Sequence, residues 1–515
     1  MTPTKGKFLF PLLFFFALTS VLSSCSPKLT EAQRMAKKVV KRGYEEQRVE
    51  MRGVWMPTVG RTYYRGKTPQ EIRVYLTEAL DRFEKLGINA VFFQVRSEGD
   101  AFYASGYEPW SRYLTGTQGK APSPYWDPLD FMIKEAHKRH MELHAWINPY
   151  RVALNASEPV SPLHVSSRHP EWCVKYGDLI LLNPALKEVR DYTADIVRDL
   201  VSRYDLDGIH MDDYFYPYPV AGVPFPDAKE YRLYGGAFKT VGDFRRENVN
   251  LLVQELHETV KALKPWVRFG ISPFGIYRNK RTDPIGSDTK GLQNYDDLYA
   301  DVLLWDQMGW VDYTLPQIYW QMGHKQADYT ELAYWWKNNI RKGHLYFGQH
   351  IRNTMDYDQL EEKWAIAAET SQGNVLWPHE DVLGNYKNFE QDLGTFFWKN
   401  KAILPPSDYP DYLRDFPEPA RDATVLRGDA GQELVWMGDP ELPQGLETKY
   451  YVVYTHRRGA TEREIMQAQN ITVMTSETKY RPLNLGGKFR LAFTVTRVDR
   501  FNHEHIIARN IPVVL

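Results

Sequence analysis

Two consecutive acidic residues near the middle of the chain are the best candidates for chemistry. Asp212 and Asp213 follow a short apolar segment over residues 207–211, and Tyr214 opens a run rich in aromatic rings directly after them. Cleavage of a glycosidic bond needs an acid and a base around the bond, and flat apolar surfaces to hold the sugar ring. The pattern therefore predicts a sugar-cleaving site; the alternative is that Asp212 caps a turn and Asp213 is solvated.

Strand geometry distinguishes the two acids. If residues 207–212 form a strand, His210 and Asp212 share one face, while Asp213 points to the other unless the strand bends. The aromatic and proline residues that follow would allow such a bend. Asp212 is accordingly predicted to act as nucleophile or base, and Asp213 as one candidate for the acid.

Length and composition limit the classes of protein that fit. A chain of 515 residues is expected to hold two domains, one of which can be a large barrel. The net charge of −1 provides no field for nucleic acid or an anionic membrane surface, so neither is predicted as a partner. The 15 Trp, 33 Tyr and 24 Phe indicate a ring-binding surface, although an aromatic core would give the same composition.

The N-terminus has the pattern of a secretion signal. Two lysines precede an apolar run over residues 8–22, which ends in Leu-Ser-Ser-Cys. This pattern predicts a lipoprotein signal peptide over 1–24, with Cys25 as the lipidated anchor of a bacterial envelope protein; an ordinary signal peptide is the alternative. Residues 25–48 are polar and are predicted to form a tether. Only Cys173 would then remain, so no intrachain disulfide is expected.

Apolar segments alternate with helical patterns through the next 350 or so residues. Such alternation predicts a (β/α)₈ TIM barrel, which we assign to residues 49–405. The predicted strands lie at 51–57, 88–95, 141–147, 207–212, 267–272, 312–320, 344–349 and 373–377.

The connections differ in length on the two sides of this barrel. Links from a helix to the next strand are tight, whereas links from a strand to the next helix reach about thirty residues after strands two, three and four. All the long loops therefore lie on the carboxyl face of the barrel, where the active sites of such barrels are built.

The sequence texture changes after two consecutive prolines at 405–406. Short alternating strands follow, and they predict a small all-β, fibronectin type III-like accessory domain over 417–515. The strands are expected at 433–436, 450–454, 489–495 and 511–514.

The remaining polar candidates come from the ends of the predicted barrel strands. Asp100, after the second strand, is the other candidate for the acid, since no acid directly ends the fifth, sixth or seventh strand. Amide side chains suit recognition of hydroxyl or acetamido groups, although they could instead satisfy loop backbone groups. The predicted substrate-binding residues are Arg96, Glu98, Trp146, Asn148, His210, Tyr214, Gln317, Tyr319 and Gln349.

Four motifs in barrel order carry a family resemblance. Residues 52–55 (Arg-Gly-Val-Trp), 94–101 (Gln-Val-Arg, then Gly-Asp-Ala), 145–151 (Ala-Trp-Ile-Asn-Pro-Tyr-Arg) and 207–214 (Asp-Gly-Ile-His-Met-Asp-Asp-Tyr) resemble glycosyl hydrolase-like family 10. The resemblance implies a TIM-barrel glycosidase of bacterial envelopes, in a family that includes a hydrolase of peptide-free peptidoglycan strands. The fourth strand also resembles that of amylase-type barrels, which implies a nucleophile at Asp212, with His210 where that group has Arg.

The sequence as a whole predicts a lipid-anchored glycoside hydrolase that acts on an envelope or environmental glycan without a cofactor. Two alternatives remain. One is a non-catalytic glycan-binding lipoprotein. The other is a metal-dependent polysaccharide deacetylase with ligands among His140, His144, His210 and Asp212. The sugar, the linkage and the stereochemistry stay open.

Overall fold

A computed structural model describes residues 29–61, 64–419, 421–428, 431–483 and 490–514. The predicted signal peptide and Cys25 lie outside the described residues, so their prediction stays as it stands. No helix in the described ranges is both long enough and apolar enough to cross a membrane.

Eight parallel strands form the barrel that the sequence predicts. Each strand pairs with its neighbours in chain order, and the eighth pairs with the first. The seventh strand is interrupted at Tyr346; its first part pairs with the sixth strand and its second part with the eighth, which closes the barrel. The strands span Met51–Met56, Ala90–Arg96, Glu142–Ile147, Gly208–Met211, Arg268–Ile271, Tyr313–Thr314, His344–Leu345 with Phe347–His350, and Gly373–Trp377.

Helices surround the barrel, and local signals set their ends. The helix after the first strand begins at Pro69, and Thr68 and Glu71 form the capping box expected from their spacing. The main helices span Pro69–Lys85, Pro128–His137, Lys187–Arg203, Val241–Leu263, Val302–Met308, Tyr329–Asn339, Leu360–Thr370 and Phe389–Asp392. Shorter helices span Arg112–Thr115, Val165–Arg168, Ala228–Tyr234, Asn294–Asp297, Ile351–Asp356, His379–Leu383, Asp411–Arg414 and Glu462–Ile465.

The segment predicted to be a polar tether is instead largely a helix. Helix Glu31–Arg42 buries Ala36 and Val39, which lie one turn apart on the same side of the helix. Arg42 pairs with Glu369 of a barrel helix at 2.8 Å. The prediction was wrong because Ala36 and Val39, with the partly buried Ala32 and Val40, give this otherwise charged segment an apolar side at helical spacing.

The long loops of the carboxyl face carry structure of their own. The loop after the third strand holds a three-stranded antiparallel sheet of Arg151–Ala153, Cys173–Tyr176 and Leu179–Leu182. This sheet packs its first strand directly beyond Asn148, where the barrel strand ends. Part of this loop is therefore regular β structure.

The C-terminal region forms two antiparallel sheets that share a core. Leu434 and Trp436 of one sheet pack with Tyr451, Val453 and Phe493 of the other. The fold of this region as small and all-β is confirmed, while its likeness to fibronectin type III modules stays a prediction. One sheet holds Ala423–Gly428, Gly431–Trp436 and Lys479–Tyr480; the other holds Ile471–Thr475, Thr448–Arg457, Arg490–Asp499 and Glu504–Val514.

Buried charges join this region to the amino end of the barrel. Lys449 of the C-terminal region lies 2.7 Å from Glu142 and 3.2 Å from Asp207, both of which belong to the barrel. Asn502 donates to Glu142 at 2.8 Å, and Arg268 lies 3.2 Å from the same carboxylate. Burial alone would raise the pKa of Glu142, but the positive charges of Arg268 and Lys449 lower it to about 2. The two domains therefore share an ionic interface.

Candidate active site

A cavity of about 390 Å³ opens at the carboxyl end of the barrel. Its walls come from the ends of seven of the eight strands and from the loops that follow them. The lining combines six aromatic rings with seven polar or charged side chains, which suits a site that binds a sugar. The lining residues are Trp55, Pro57, Val59, Gly60, Arg61, Gln94, Trp146, Arg151, Asp212, Asp213, Tyr214, Tyr218, Ser272, Gln317, Tyr319 and Trp377.

Asp212 is buried in this cavity wall and held by three donors. Trp146 Nε1 donates to Asp212 Oδ2 at 3.0 Å, and Asn148 Nδ2 donates to Oδ1 at 3.2 Å. The backbone amide of Tyr214 donates to the same Oδ1 at 3.2 Å. Burial raises the pKa of Asp212, while the charge of Arg151 and these hydrogen bonds act against the rise. The carboxylate is thus fixed in orientation, and its three donors offset part of the effect of burial.

Asp213 also lines the cavity, next to Asp212 in sequence. The fourth strand ends at Met211, so the alternation of a strand no longer governs where the next two side chains point. Asp213 can therefore reach the cavity, as its predicted role as the acid requires. Burial and the neighbouring charge of Asp212 raise the pKa of Asp213 to about 6, although Tyr218 donates a hydrogen bond to its carboxylate.

His210 lies below the cavity instead of in its wall. Its Nε2 accepts a hydrogen bond from Trp55 Nε1 at 3.1 Å, and its Nδ1 lies 3.1 Å from the Tyr313 hydroxyl. Burial and the nearby His144 hold the pKa of His210 well below its usual range, so the ring is neutral. The histidine fixes the orientation of Trp55, and its placement does not support the predicted contact with substrate.

The predicted residues that follow the second strand do not line the cavity. Arg96 is paired with Glu108, with Nη2 and Oε1 2.7 Å apart. Asp100 accepts from Gln118 at 3.2 Å, and Glu98 accepts from a backbone amide of the next loop at 2.7 Å. The chain turns back on the strand here, since residues 96 and 101 form an antiparallel bridge. That turn carries the acids away from the cavity, so their placement gives no support to the predicted catalytic or binding roles.

The remaining predicted residues divide between the cavity and its support. Trp146, Tyr214, Gln317 and Tyr319 line the cavity. Asn148 acts on Asp212, as described above. Gln349 is fully buried, and its Nε2 donates at 2.8 Å to both the Tyr329 hydroxyl and Asn374 Oδ1, which is a structural role.

Sequence reasoning missed several residues of the cavity wall. Trp55, Trp377 and Gln94 belong to barrel strands, and Arg151 and Tyr218 follow strand ends by a few residues. Each follows the rule that strand ends face the cavity, and a search guided by carboxylates passed over them. Arg151 stacks over the Tyr214 ring with its guanidinium 5.1 Å from the ring centroid.

Three tryptophans and one amide form a recess in the cavity. The Trp377 ring centroid lies 6.3 Å from those of both Trp55 and Trp146, with the planes at 75° and 70°. Gln94 Oε1 accepts at 2.9 Å from the backbone amides of Thr58 and Val59. Gln94 Nε2 is buried and has no hydrogen-bond acceptor among the described residues.

The side chains of the metal-binding alternative do not assemble. Within the described ranges, no group of three His, Cys, Asp or Glu side chains is arranged to hold a metal ion. His140 packs against an aromatic ring of the C-terminal region, and His144 lies 3.0 Å from Glu142. These histidines are thus engaged in contacts elsewhere in the described structure.

Comparison with known proteins gives the family. The chain is 38% identical over 474 residues to Glycosyl hydrolase YngK of Bacillus subtilis, covering 88% of this chain and 92% of that protein. It is 39% identical over 341 residues to Glycosyl hydrolase DigH of Escherichia coli K12, covering 61% of this chain and 76% of that protein.

Likeness to solved structures is weaker. The glycoside hydrolase domain of PgaB (BpsB) from Bordetella bronchiseptica matches with 12% identity and a TM-score of 0.43, over 68% of this chain and 99% of that one.

The profile of the family described as Glycosyl hydrolase-like 10 matches residues 50–366, which span the barrel strands one to seven. With the two relatives, this match shows that the chain belongs to the glycosyl hydrolase-like 10 family.

Proposed function

We propose that the protein is a glycoside hydrolase that cleaves the glycan strands of peptidoglycan or a related envelope polysaccharide. The observation that carries this proposal is the pair of neighbouring carboxylates in an aromatic cavity. Asp213 has a pKa of about 6, so it holds a proton at mildly acidic pH, while Asp212 is fixed by three donors. The two carboxyl groups differ in their surroundings, since Asp213 faces the charge of Asp212 whereas Asp212 faces Arg151 and its three donors, and such a pair can provide an acid and a charged partner.

In this mechanism Asp213 donates its proton to the departing glycosidic oxygen. Positive charge then develops at the anomeric carbon and the ring oxygen of the sugar. The ionised Asp212 stabilises that charge from a position that is already set by Trp146 and Asn148, so little reorganisation is needed during the reaction.

An anionic sugar is supported by a cationic side chain in the cavity, one nitrogen of which has no acceptor among the described residues. Arg151 Nε donates to a backbone carbonyl at 2.9 Å, but its Nη2 is buried without an acceptor among the described residues. The lactyl carboxylate of N-acetylmuramic acid is a suitable partner for a guanidinium in such a wall. This chemistry, together with the family resemblance, favours peptidoglycan strands over neutral glycans.

Digestion of defined glycans tests the proposal. The mature protein is incubated with peptide-free peptidoglycan strands and with a panel of neutral polysaccharides, and the products are identified by mass spectrometry. We expect hydrolysed fragments of the peptidoglycan strands, and none from an Asp212→Asn/Asp213→Asn double variant. Binding of the strands without any turnover would reject the proposal and favour the non-catalytic alternative.

A glycine beneath the cavity gives a second test. A Cβ at Gly348 would lie 3.0 Å from Trp55 Cη2 and 3.1 Å from Tyr319 Cε1, both tighter than an ordinary contact. Gly348→Ala should displace these rings and lower kcat/KM at least tenfold, with a loss of about 1–2 kcal/mol in unfolding free energy. Gly106→Ala is the matched control, because its Cβ would meet open space. Equal kcat/KM for the two variants would show that these rings do not contact substrate.

We also propose that Cys25 carries a lipid anchor in the cell envelope, as the Leu-Ser-Ser-Cys pattern predicts. Cys25→Ala should move the protein from the membrane fraction to the soluble fraction, while the activity of the purified protein stays the same. Fractionation followed by immunoblotting measures the change, with Cys173→Ala as the control. Unchanged partition of the Cys25 variant would argue against lipidation.

A further inference from the structure

The two carboxylates of the cavity come from consecutive residues. Asp212 and Asp213 are the only carboxylates that line it among the residues the structure describes. In direct double displacement, a carboxylate nucleophile attacks the anomeric carbon from the face opposite to the acid, at a separation of about 5 Å. Asp212 already accepts hydrogen bonds on both oxygens from three donors, so it is poorly suited to be that nucleophile and another group must attack.

We infer that the substrate's own 2-acetamido group is this nucleophile, and that Trp55, Trp146, Trp377 and Gln94 form the recess that holds it. The inference rests on the proposed function and names the substrate class, namely glycans that carry a 2-acetamido sugar at the cleaved bond. The protein's part is to fold the acetamido group under the anomeric carbon and to supply the acid.

The recess matches the parts of an acetamido group. Its methyl is apolar and fits against the edges and faces of the three indoles. The centroid of Trp377 lies 6.3 Å from that of Trp55 and 6.3 Å from that of Trp146. Its carbonyl oxygen needs a donor, and Gln94 Nε2 is buried in the wall without an acceptor among the described residues. A buried donor left unpaired is costly, so a ligand that accepts from it gains in affinity.

The third part of the group, its N–H, needs an acceptor that stays charged. Asp212 receives hydrogen bonds on both oxygens, from Trp146 on one and from Asn148 and the Tyr214 amide on the other. A carboxylate held in this way is a weak nucleophile, because its lone pairs are already shared with donors. It remains a strong acceptor for an N–H that becomes positively charged during the reaction.

The reaction then balances without a second protein nucleophile. The acetamido oxygen forms a bond to the anomeric carbon as the glycosidic bond breaks, and Asp213 gives its proton to the departing oxygen. The resulting oxazolinium ion keeps its N–H proton and donates a hydrogen bond through it to the carboxylate of Asp212. Water next attacks the anomeric carbon, the bond to the acetamido oxygen breaks, and Asp213 takes the proton from water, so that the configuration is retained.

Two probes test the inference. The first is the thiazoline derivative of N-acetylglucosamine, a neutral mimic of the cyclised intermediate whose binding is measured by calorimetry on the mature protein. Binding should weaken at least tenfold in Asp212→Asn and in Trp377→Leu, and it should be unchanged in Trp110→Leu, which alters a tryptophan outside the cavity lining. The second probe is peptide-free strands that have been N-deacetylated and then re-acylated with acetyl or trifluoroacetyl groups.

The trifluoroacetyl group has nearly the same shape but a poorly nucleophilic oxygen. We expect kcat to fall at least a hundredfold between acetyl and trifluoroacetyl strands. Cleavage at equal rates together with no binding of the thiazoline would overturn the inference and leave the proposed function intact. Thiazoline binding without hydrolysis of any glycan would support the recess and reject the proposed function, and absence of both would reject the two together.

Discussion

Replacing Asp213 by asparagine is expected to lower kcat on a glycan by about three orders of magnitude and to stabilise the fold at neutral pH. The loss of rate follows from loss of the proton donor. The gain in stability follows because burial and the charge of Asp212 raise the pKa of Asp213 to about 6. An ionised Asp213 is therefore unfavourable in the fold, and an amide removes that charge.

The pH dependence of both effects has a defined sign. Since the pKa of Asp213 is about 6 in the fold and near 3.8 in the unfolded chain, its stabilising contribution is full below pH 4 and lost as pH rises through 6. The difference corresponds to at most about 3 kcal/mol, so Asp213→Asn should gain about 1–3 kcal/mol at pH 7 and nothing below pH 4. The wild-type kcat/KM should fall above pH 6, as the acid loses its proton.

Denaturant unfolding at pH 4 and pH 7 and a pH–rate profile measure these effects. Asp212→Asn is the informative companion, because three donors surround that carboxylate and its loss leaves them with a poorer acceptor. It should lose as much activity, and its gain in stability at pH 7 should be smaller than that of Asp213→Asn, because Arg151 and the three donors offset part of the effect of burial on Asp212. If Asp213→Asn keeps more than a tenth of the wild-type kcat, Asp213 is not the acid.

Replacing Lys449 by methionine should destabilise the protein by about 3 kcal/mol, the cost typical of breaking a buried ion pair. Lys449 lies between the carboxylates of Glu142 and Asp207, which are buried between the barrel and the C-terminal region. Without the lysine, Glu142 keeps Arg268 and Asp207 keeps His137, which limits the loss.

At low pH, the difference in stability between Lys449→Met and the wild type should disappear. The pKa of Glu142 is lowered to about 2 and that of Asp207 lies well below its usual value, so their contribution is present above pH 4.5 and lost as pH falls toward 2. Denaturant melts at pH 7 and pH 2 measure it, with Lys134→Met as the control, since Lys134 and Asp130 form an exposed pair. Equal stability of Lys449→Met and wild type at pH 7 would mean that the interface adds nothing.

Much of the barrel could be predicted from sequence because its strands are largely apolar and buried on both faces and its helices have local stop and start signals. Thr68 and Glu71 show this in their capping box, and all eight strands lie where the apolar runs are. The hidden helix Glu31–Arg42 shows the limit, because docking of Ala36 and Val39 depends on a surface that is distant in sequence.

The candidate site was predictable to the level of the strand end but not of each side chain. Asp212 follows from its position after the fourth strand. Whether Asp100 faces the cavity depends on how the chain turns back after Arg96, and a short backbone bridge at residue 101 decides it. Residues such as Gln94 and Trp377 carry no distinctive sequence signal, because an amide or an indole at a strand end is common in any barrel.

The docked N-terminal helix also limits the distance between the barrel and the proposed lipid anchor at Cys25. Arg42 and Gln33 contact Glu369 and Asp328 on barrel helices or their caps, so the helix runs along the flank of the barrel. If Cys25 is lipidated, four residues separate it from Thr30, and a fully extended chain over the five steps between them reaches about 18 Å at most. The anchored protein could then act only on glycan that lies within about one protein diameter of the bilayer.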